Sequence, residues 1–240
     1  MSYLSVFLIS TLAAALQSSL GFGYGVVGMA LFPFVLPYMT AVTLCTVSAP
    51  LSNVIVAIRY RRFIQWRKLW LPLVLALTAS AVMSCLIASQ AEGTLKQLLG
   101  IFLVLLALYF LLFKDRIKVR DTLLTGSVCG LLSGLCGGFF GVNGPPAVVY
   151  FMAAADGDNR RYLATAQTFF LVLNIHITVM RIFNGAATTE MLYAALVGTA
   201  GVGAGTLIGL KIFKKLDLTS LYRFVYLFMA IMGAFIFFTA

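Results

Sequence analysis

Long apolar runs recur along the whole chain, and they constrain its fold more than any other feature. Hydrophobic residues make up 62% of the 240 residues and charged residues only 10%, whereas a soluble domain carries about 25% charged residues. An apolar run of about 20 residues can cross a hydrocarbon core of about 30 Å as a helix. A membrane β-barrel would instead show alternating segments of about 10 residues. The sequence therefore predicts an all-α polytopic membrane protein.

Two glycine-rich breaks interrupt these runs. The first extends from Gln17 to Gly28, and the second extends from Leu132 to Pro146. Glycine lets the backbone turn and approach a partner closely because it has no Cβ, and a proline such as Pro145 suits the first turn of a helix. Each break thus predicts a helix, a tight unwound turn and a new short helix. We expect the two turns to build a binding site.

The order of segments suggests that the chain is an internal duplication. The predicted first repeat, residues 1–113, contains a hairpin (4–38, with segments at 4–20 and 26–38) and helices at 40–58, 69–88 and 95–113. After a linker (114–121), the second repeat, residues 122–240, contains a hairpin (122–155, with segments at 122–136 and 142–155) and helices at 162–182, 190–210 and 218–239. Gly25-Val-Val-Gly28 matches Gly141-Val-Asn-Gly144 in this alignment. Such repeats are a common build of secondary transporters.

Basic residues predict the topology. Most of the 17 Lys and Arg fall in four clusters, at 59–68, 114–120, 160–161 and 211–215. Clusters beside membrane spans mark the cytoplasmic side, so the net charge of +10 reports topology rather than a nucleic-acid partner. The basic side moves by one connection between the halves, which predicts inverted repeats, a cytoplasmic linker at 114–121 and both termini outside the cytoplasm. The second segment of each hairpin is short for a full crossing, so we favour re-entrant hairpins from opposite faces over two full crossings.

The two glycine motifs resemble those of a known family. Gly21-Phe-Gly23-Tyr-Gly25-Val-Val-Gly28 with Pro33, and Gly137-Gly138-Phe-Phe-Gly141-Val-Asn-Gly144 with Pro145, each opening one half of a small membrane protein, resemble the sulfite exporter TauE/SafE family. The resemblance covers essentially the whole chain. It implies a transporter of sulfite, sulfonates or related sulfur-containing anions in the cell inner membrane. Tyr24 stands where such proteins often have another glycine, and Pro145 comes earlier in its motif than Pro33 does.

A physical argument from the breaks leads to the same ligand class. The short helix after each break has free N–H groups and a positive dipole end, and such ends bind anions. The substrate-binding candidates are Ser19, Gly23, Tyr24, Gly25, Gly138, Phe139, Gly141, Asn143, Gln167 and Asn174, and the gating or entrance candidates are Phe140 and Arg181. Gln167, Asn174 and Arg181 share one helical face. The alternative for the polar residues is hydrogen bonding between helices, and for Arg181 it is an anchor that snorkels to the headgroups.

Other residues point to no further chemistry. The four cysteines show no paired spacing, so we predict no disulfide, no metal site and no cofactor. His176 is the single histidine and lies off the polar face of its helix, which suggests a buried imidazole bonded to a neighbouring helix, with a proton carrier as the alternative.

We therefore expect a secondary transporter that exports a small anion by alternating access, driven by membrane potential. No Asp or Glu lies inside a predicted span away from its ends, and carboxylate relays are the usual basis of proton coupling. The alternatives are an anion channel, a proton- or sodium-coupled uptake carrier and a subunit without transport activity. An enzyme is not expected, because the sequence lacks an intramembrane catalytic motif. The expected partners are a small anionic substrate, the lipid bilayer and a second copy of the chain in a homodimer, but no nucleic acid.

Overall fold

The computed structural model describes residues 2–87, 90–113, 120–212 and 218–239, and within these the side chains of residues 113, 212 and 218–223 are not described. The described residues form ten α-helices, α1 (Tyr3–Leu20), α2 (Tyr24–Leu31), α3 (Tyr38–Arg59), α4 (Trp66–Ile87), α5 (Glu92–Phe113), α6 (Leu123–Phe140), α7 (Gly144–Ala154), α8 (Asn159–Arg181), α9 (Thr189–Ile212) and α10 (Leu218–Thr239). Among the described residues, seven of these helices are long and apolar enough to cross a membrane, namely α1, α3, α4, α5, α6, α8 and α9. The predicted all-α polytopic membrane fold is thus confirmed.

The helix ends differ most from the expectation at the two breaks. The predicted segment at 122–136 continues as α6 to Phe140, so Gly137 and Gly138 are helical rather than part of the turn. The helix stops where Gly141 adopts a φ of 70°. In the first half, α2 ends at Leu31 and a short 3₁₀ turn, Phe32–Phe34, contains the proline, so the segment does not continue as one helix to Tyr38. Residues 114–119 of the predicted linker lie outside the described residues.

Helices of the two halves pair with each other. The first helix of each half packs against the fourth of the other, as α1 packs against α9 and α6 against α4, while α3 packs against α8 and α5 against α10. Helices α3 and α8 run in opposite directions. Tyr38 at the start of α3 and Arg181 at the end of α8 bond neighbouring carbonyl groups, whereas Gln65 after α3 donates to Thr165 early in α8. Inverted repeats would produce this reciprocal packing between the halves. The duplication itself stays a prediction.

Two glycine stripes set the closest of these pairings. In α6, the stripe at positions 130, 134 and 138 lies against Pro72, Ala76 and Ser80 of α4, and in α9 the stripe at 201, 205 and 209 lies against Phe7, Thr11 and Ala15 of α1. A Cβ on any of these glycines would come closer than 3.0 Å to the backbone or side chains of the partner helix. Small residues at such spacing let membrane helices approach closely. The spacing of four is visible in the sequence.

Among the described residues, the basic connections at 59–68, 120–121 and 160–161 lie together at one end of the molecule. Lys68 pairs with Asp121 before α6, and the guanidinium of Arg160 lies 5.7 Å from the centre of the Phe63 ring. At the other end, the backbone N–H of Tyr38 donates to Glu92 at 3.1 Å. This separation agrees with the charge pattern of the loops. Which end faces the cytoplasm, and therefore where the termini lie, stays a prediction.

Candidate functional site

Each break has a left-handed backbone position that glycine adopts without strain. Gly21, with φ of 80°, ends α1, and its N–H donates to the Gln17 carbonyl at 2.8 Å. Gly141, with φ of 70°, ends α6 in the same way, donating to the Gly137 carbonyl at 3.0 Å. This is the usual left-handed end of a helix. Gly23, with φ of 124°, then directs the backbone of the first break into the start of α2. The backbone reverses at both places because glycine permits these angles.

The two breaks touch. A Cβ on Gly25, in the first turn of α2, would overlap the carbonyl oxygen of Gly141. On the other side, a Cβ on Gly144 would lie 3.2 Å from Cβ of Phe22. The short helices α2 and α7 therefore begin next to each other inside the protein.

A small cavity lies between the breaks. Its lining consists of Gln17, Phe22, Gly23, Gly25, Val26, Cys45, Ala49, Gly141, Val142, Asn143, Gly144, Phe170 and Asn174, none of which is charged. We call it the central cavity. Its volume is about 10 Å³, which is room for about one water molecule. The structure is therefore contracted around this space, and an anion of several atoms requires the breaks to move apart.

A buried amide pair orders the first break. Gln17 accepts from the backbone N–H of Tyr24 at 3.1 Å and donates to Asn53 of α3 at 2.6 Å. The bond from Tyr24 satisfies one N–H of the α2 N-terminus. The N–H groups of Gly25 and Val26, which come next, have no hydrogen-bond partner among the described residues. They belong to two residues that line the central cavity, and they are the donors that a helix N-terminus offers to an anion.

The second break offers fewer backbone donors. α7 begins with Gly144, Pro145 and Pro146, and proline has no N–H. The dipole of α7 remains, but the N–H donors come mainly from α2. The sequence predicts two equivalent helix ends, and the structure shows that they differ in their donors. Asn143 instead donates its side-chain amide to Asn174 of α8 at 2.8 Å. That bond leaves the Nδ2 of Asn174 without a partner among the described residues, at the cavity wall.

Side chains of α3 and α8 satisfy the carbonyl groups where α1 and α6 end. Gln167 donates to the Gly21 carbonyl at 2.7 Å, and Tyr162 donates to the Leu20 carbonyl at 3.2 Å. At the end of α6, Arg181 donates to Gly138 at 2.6 Å and Tyr38 to Phe139 at 3.3 Å. The last carbonyl groups of a helix lack partners within it, and burial makes leaving them unpaired costly. These four side chains therefore hold the breaks in position.

Arg181 points inward. Its side chain is 1% exposed, so the expected alternative of a headgroup anchor is wrong: the guanidinium turns to the Gly138 carbonyl instead of snorkelling. Two of its nitrogens, Nε and Nη1, have no partner among the described residues.

The structure brings only part of the candidate set to the cavity. Gly23, Gly25, Gly141, Asn143 and Asn174 line it. Five substrate candidates and both gating candidates do not: Ser19, Tyr24, Gly138, Phe139, Gln167, Phe140 and Arg181. The Ser19 hydroxyl bonds the Ala15 carbonyl at 2.8 Å. The Tyr24 hydroxyl bonds Ser10 at 3.3 Å. The Phe140 ring stacks on Phe102 with 4.5 Å between centroids.

Several residues of the lining were absent from the candidate set, and Gln17 is the one with a signal in the sequence. It is an amide in an apolar run, four residues before a glycine that ends the helix. Phe22, Cys45, Ala49 and Phe170 carry no comparable signal, because each is an ordinary apolar residue. His176 is partly exposed, and its Nε2 has no partner among the described residues, so the expected bond to a neighbouring helix is not formed there.

Comparison with known proteins identifies one family. Residues 6–236 match the family model described as Sulfite exporter TauE/SafE. No curated protein and no solved structure matches the chain. The resemblance drawn from the two glycine motifs is thereby confirmed.

Proposed function

Because the chain belongs to the sulfite exporter TauE/SafE family, a family of membrane transporters, we propose that it is a secondary transporter of a small sulfur-containing or organic anion such as sulfite or a sulfonate. In this proposal it exports the anion across the cell inner membrane by alternating access, with the central cavity as the binding site. The observation that carries the proposal is the contact of Gly25 with Gly141, which places the N-terminus of α2 at a polar cavity in the interior.

The lining of the central cavity suits an anion. The N–H groups of Gly25 and Val26 and the Nδ2 of Asn174 are donors there, and no acidic side chain competes with them. A helix N-terminus stabilises a negative charge by about 0.3–1 kcal/mol at exposed sites and by up to about 2 kcal/mol when partly buried. A site of this kind holds a small oxyanion by hydrogen bonds, without a full positive charge that would bind it too tightly to release.

The size of the central cavity favours a carrier over a channel. Space for about one water molecule does not form an open pore, so the anion enters only when α1 and α2 shift relative to α6 and α7. The helix ends that would move are held by side chains of α3 and α8. We propose that α3 and α8 form the framework against which the breaks rock.

The direction follows from the membrane potential. An anion leaving a cell with a negative interior gains about 2.3 kcal/mol per charge per 100 mV. The lining of the central cavity contains no carboxylate for a proton relay. Export therefore needs no coupled cation in this proposal.

The test uses the purified full chain in proteoliposomes loaded with sulfite under anaerobic conditions. We expect efflux that saturates with sulfite concentration, that is faster when the interior is negative and that is stimulated by external sulfite, since a carrier returns faster when loaded. Protein-free vesicles are the control. Flux that depends on an imposed proton or sodium gradient would replace this proposal by coupled uptake, and non-saturating flux without counterflow would replace it by a channel. No flux with sulfite, methanesulfonate, taurine or simple carboxylates would refute the function.

A further inference from the structure

Arg181 lines a second and larger cavity outside the breaks. This cavity, which we call the outer cavity, has a volume of about 210 Å³, and its lining consists of Met39, Thr40, Ser84, Arg181, Asn184, Gly185, Ala186 and Thr188. It opens to the surface at the exposed residues of the connection between α8 and α9. That connection lies at the end of the molecule opposite the basic loops.

The charge of Arg181 is buried, and the part of the chain that the structure describes supplies no counter-ion for it. Among the described residues, no carboxylate forms an ion pair with it. The titratable groups that act on its charge are the phenol of Tyr38 and the thiol of Cys45, and neither is a carboxylate. One backbone carbonyl, that of Gly138, accepts from Nη2. Burying a charge is costly unless it is paired and hydrogen-bonded. Because the described residues leave this guanidinium without an anionic partner, binding an anion would offset part of that cost.

A second unpartnered group lies in the same lining. Ser84 is 1% exposed, and its hydroxyl has no partner among the described residues. The side-chain amide of Asn184 donates to the Ser84 carbonyl at 3.1 Å and so holds the connection between α8 and α9 against the end of α4. Arg181, with two unpaired nitrogens, and Ser84, with an unpaired hydroxyl, thus line the same cavity, and donors of these kinds recognise an oxyanion.

We propose that the outer cavity is a second anion-binding site, in which Arg181 and Ser84 hold the oxyanion group of a sulfite, a sulfonate or a carboxylate. Arg181 donates to the carbonyl of Gly138, three residues before Gly141 in the lining of the central cavity, and it also lines the outer cavity. In this proposal the site therefore lies between the central cavity and the surface. The anion binds there after it leaves the central cavity. That last step rests on the proposed function, whereas anion binding at Arg181 does not.

The test places a reporter cysteine in the outer cavity and changes the charge of that cavity while Arg181 is kept. The reporter is Ala186→Cys in a chain whose Cys85, Cys129 and Cys136 are replaced by serine, while the buried Cys45 is kept. Thr188 accepts from the N–H of Met191 at the start of α9, and both Asp and Asn can replace it in that role. Thr188→Asp supplies a carboxylate to Arg181, and Thr188→Asn is the matched neutral control.

The measurement is the rate at which the reporter reacts with a negatively charged, sulfonate-bearing methanethiosulfonate reagent, relative to its trimethylammonium counterpart. We expect this ratio to fall about fivefold or more in Thr188→Asp and to stay unchanged in Thr188→Asn. We also expect methanesulfonate and sulfate to slow labelling in the parent and in Thr188→Asn, and not in Thr188→Asp. Arg181→Lys, which keeps the charge, should retain part of the protection.

The outcomes separate this inference from the proposed function. Labelling that responds neither to Thr188→Asp nor to methanesulfonate overturns the outer site, even if the same protein transports sulfite in proteoliposomes. Protection by methanesulfonate in a protein that moves none of the tested anions supports the outer site and refutes the transport function. Protection that survives Thr188→Asp overturns the role of Arg181, because the anion then binds elsewhere.

Discussion

Gly25 lies directly against the carbonyl oxygen of Gly141, so the first turn of α2 touches the end of α6. These residues are far apart in the chain and belong to different halves of it. Their contact closes the central cavity and brings the donors of the first break next to the amide of Asn143 in the second. Any change in the distance between the breaks therefore changes the size of the cavity.

Gly25→Ala tests this contact. A methyl group would overlap the Gly141 carbonyl, and because that atom is backbone, the breaks must separate. We expect a loss of about 1–3 kcal/mol in stability, as for other overpacked interiors, and a larger loss of transport. Thermal unfolding in detergent and sulfite flux in proteoliposomes measure the two effects. Wild-type flux in a stable Gly25→Ala protein would show that the contact is not part of the transport cycle.

Asn174→Asp tests whether the central cavity binds an anion. The change keeps the shape of the side chain and adds a negative charge to the cavity wall. Two like charges 4 Å apart repel by about 4 kcal/mol at an effective dielectric constant of about 20, so we expect the half-saturating sulfite concentration to rise at least about tenfold. Asn159→Asp is the matched control, because it makes the same substitution at the exposed start of the same helix. Equal effects of the two variants on flux would contradict a central anion site.

Gln17 and Asn53 should be energetically coupled. Gln17→Leu leaves the Tyr24 N–H and the Asn53 Oδ1 without their present partner, and Asn53→Leu leaves the Gln17 amide without its acceptor. We expect each single change to destabilise the protein and the second change to cost less in the background of the first. We expect a coupling of about 0.6 kcal/mol, the average for hydrogen bonds between membrane helices, and of at most about 1.7 kcal/mol. A double-mutant cycle of unfolding free energies in detergent tests it, and strict additivity would contradict the coupling.

The sequence predicts the helices and the breaks well because both depend on local properties. Apolar runs form membrane helices regardless of their neighbours, and Gly21 and Gly141 mark helix ends because they adopt positive φ. The sequence predicts an end of α6 that is too early, because Gly137 and Gly138 have the character of turn residues, whereas the helix continues to Phe140. In the structure Gly138 is helical and lies against Ser80 of α4, so a contact between helices, which no local rule contains, explains that glycine.

The roles of polar residues were harder to predict than their burial. Gln167, Asn174 and Arg181 were expected on one face of α8, and all three contact the region of the breaks. Only Asn174 reaches the central cavity, because the other two bond the carbonyl groups of Gly21 and Gly138. Whether a buried amide faces a ligand or a helix end depends on where the partner helix stops. That information lies in the tertiary structure.

Labelling in intact cells tests the orientation of the chain. The charge pattern predicts that Arg62, in the connection between α3 and α4, faces the cytoplasm and that Thr188 faces outside. With Cys85, Cys129 and Cys136 replaced, we expect a membrane-impermeant maleimide to label Thr188→Cys in spheroplasts and to label Arg62→Cys only after permeabilisation. The reverse pattern would invert the topology and turn the outer cavity towards the cytoplasm.

Gly205→Ala should weaken the packing of α1 on α9 without touching the central cavity. Its Cβ would meet the backbone of Thr11, with Cα of Thr11 only 2.9 Å away. Alanine gains up to about 1 kcal/mol over glycine in a helix, but overpacking costs about 1–3 kcal/mol, so we expect a net loss of stability. Gly203→Ala, two residues away on the same helix, is the matched control, because its Cβ lies 3.6 Å from Leu51 in ordinary contact. It should be neutral or stabilising. Thermal unfolding in detergent distinguishes the two, and equal stability of both variants would mean that the glycine stripe does not set the distance between α1 and α9.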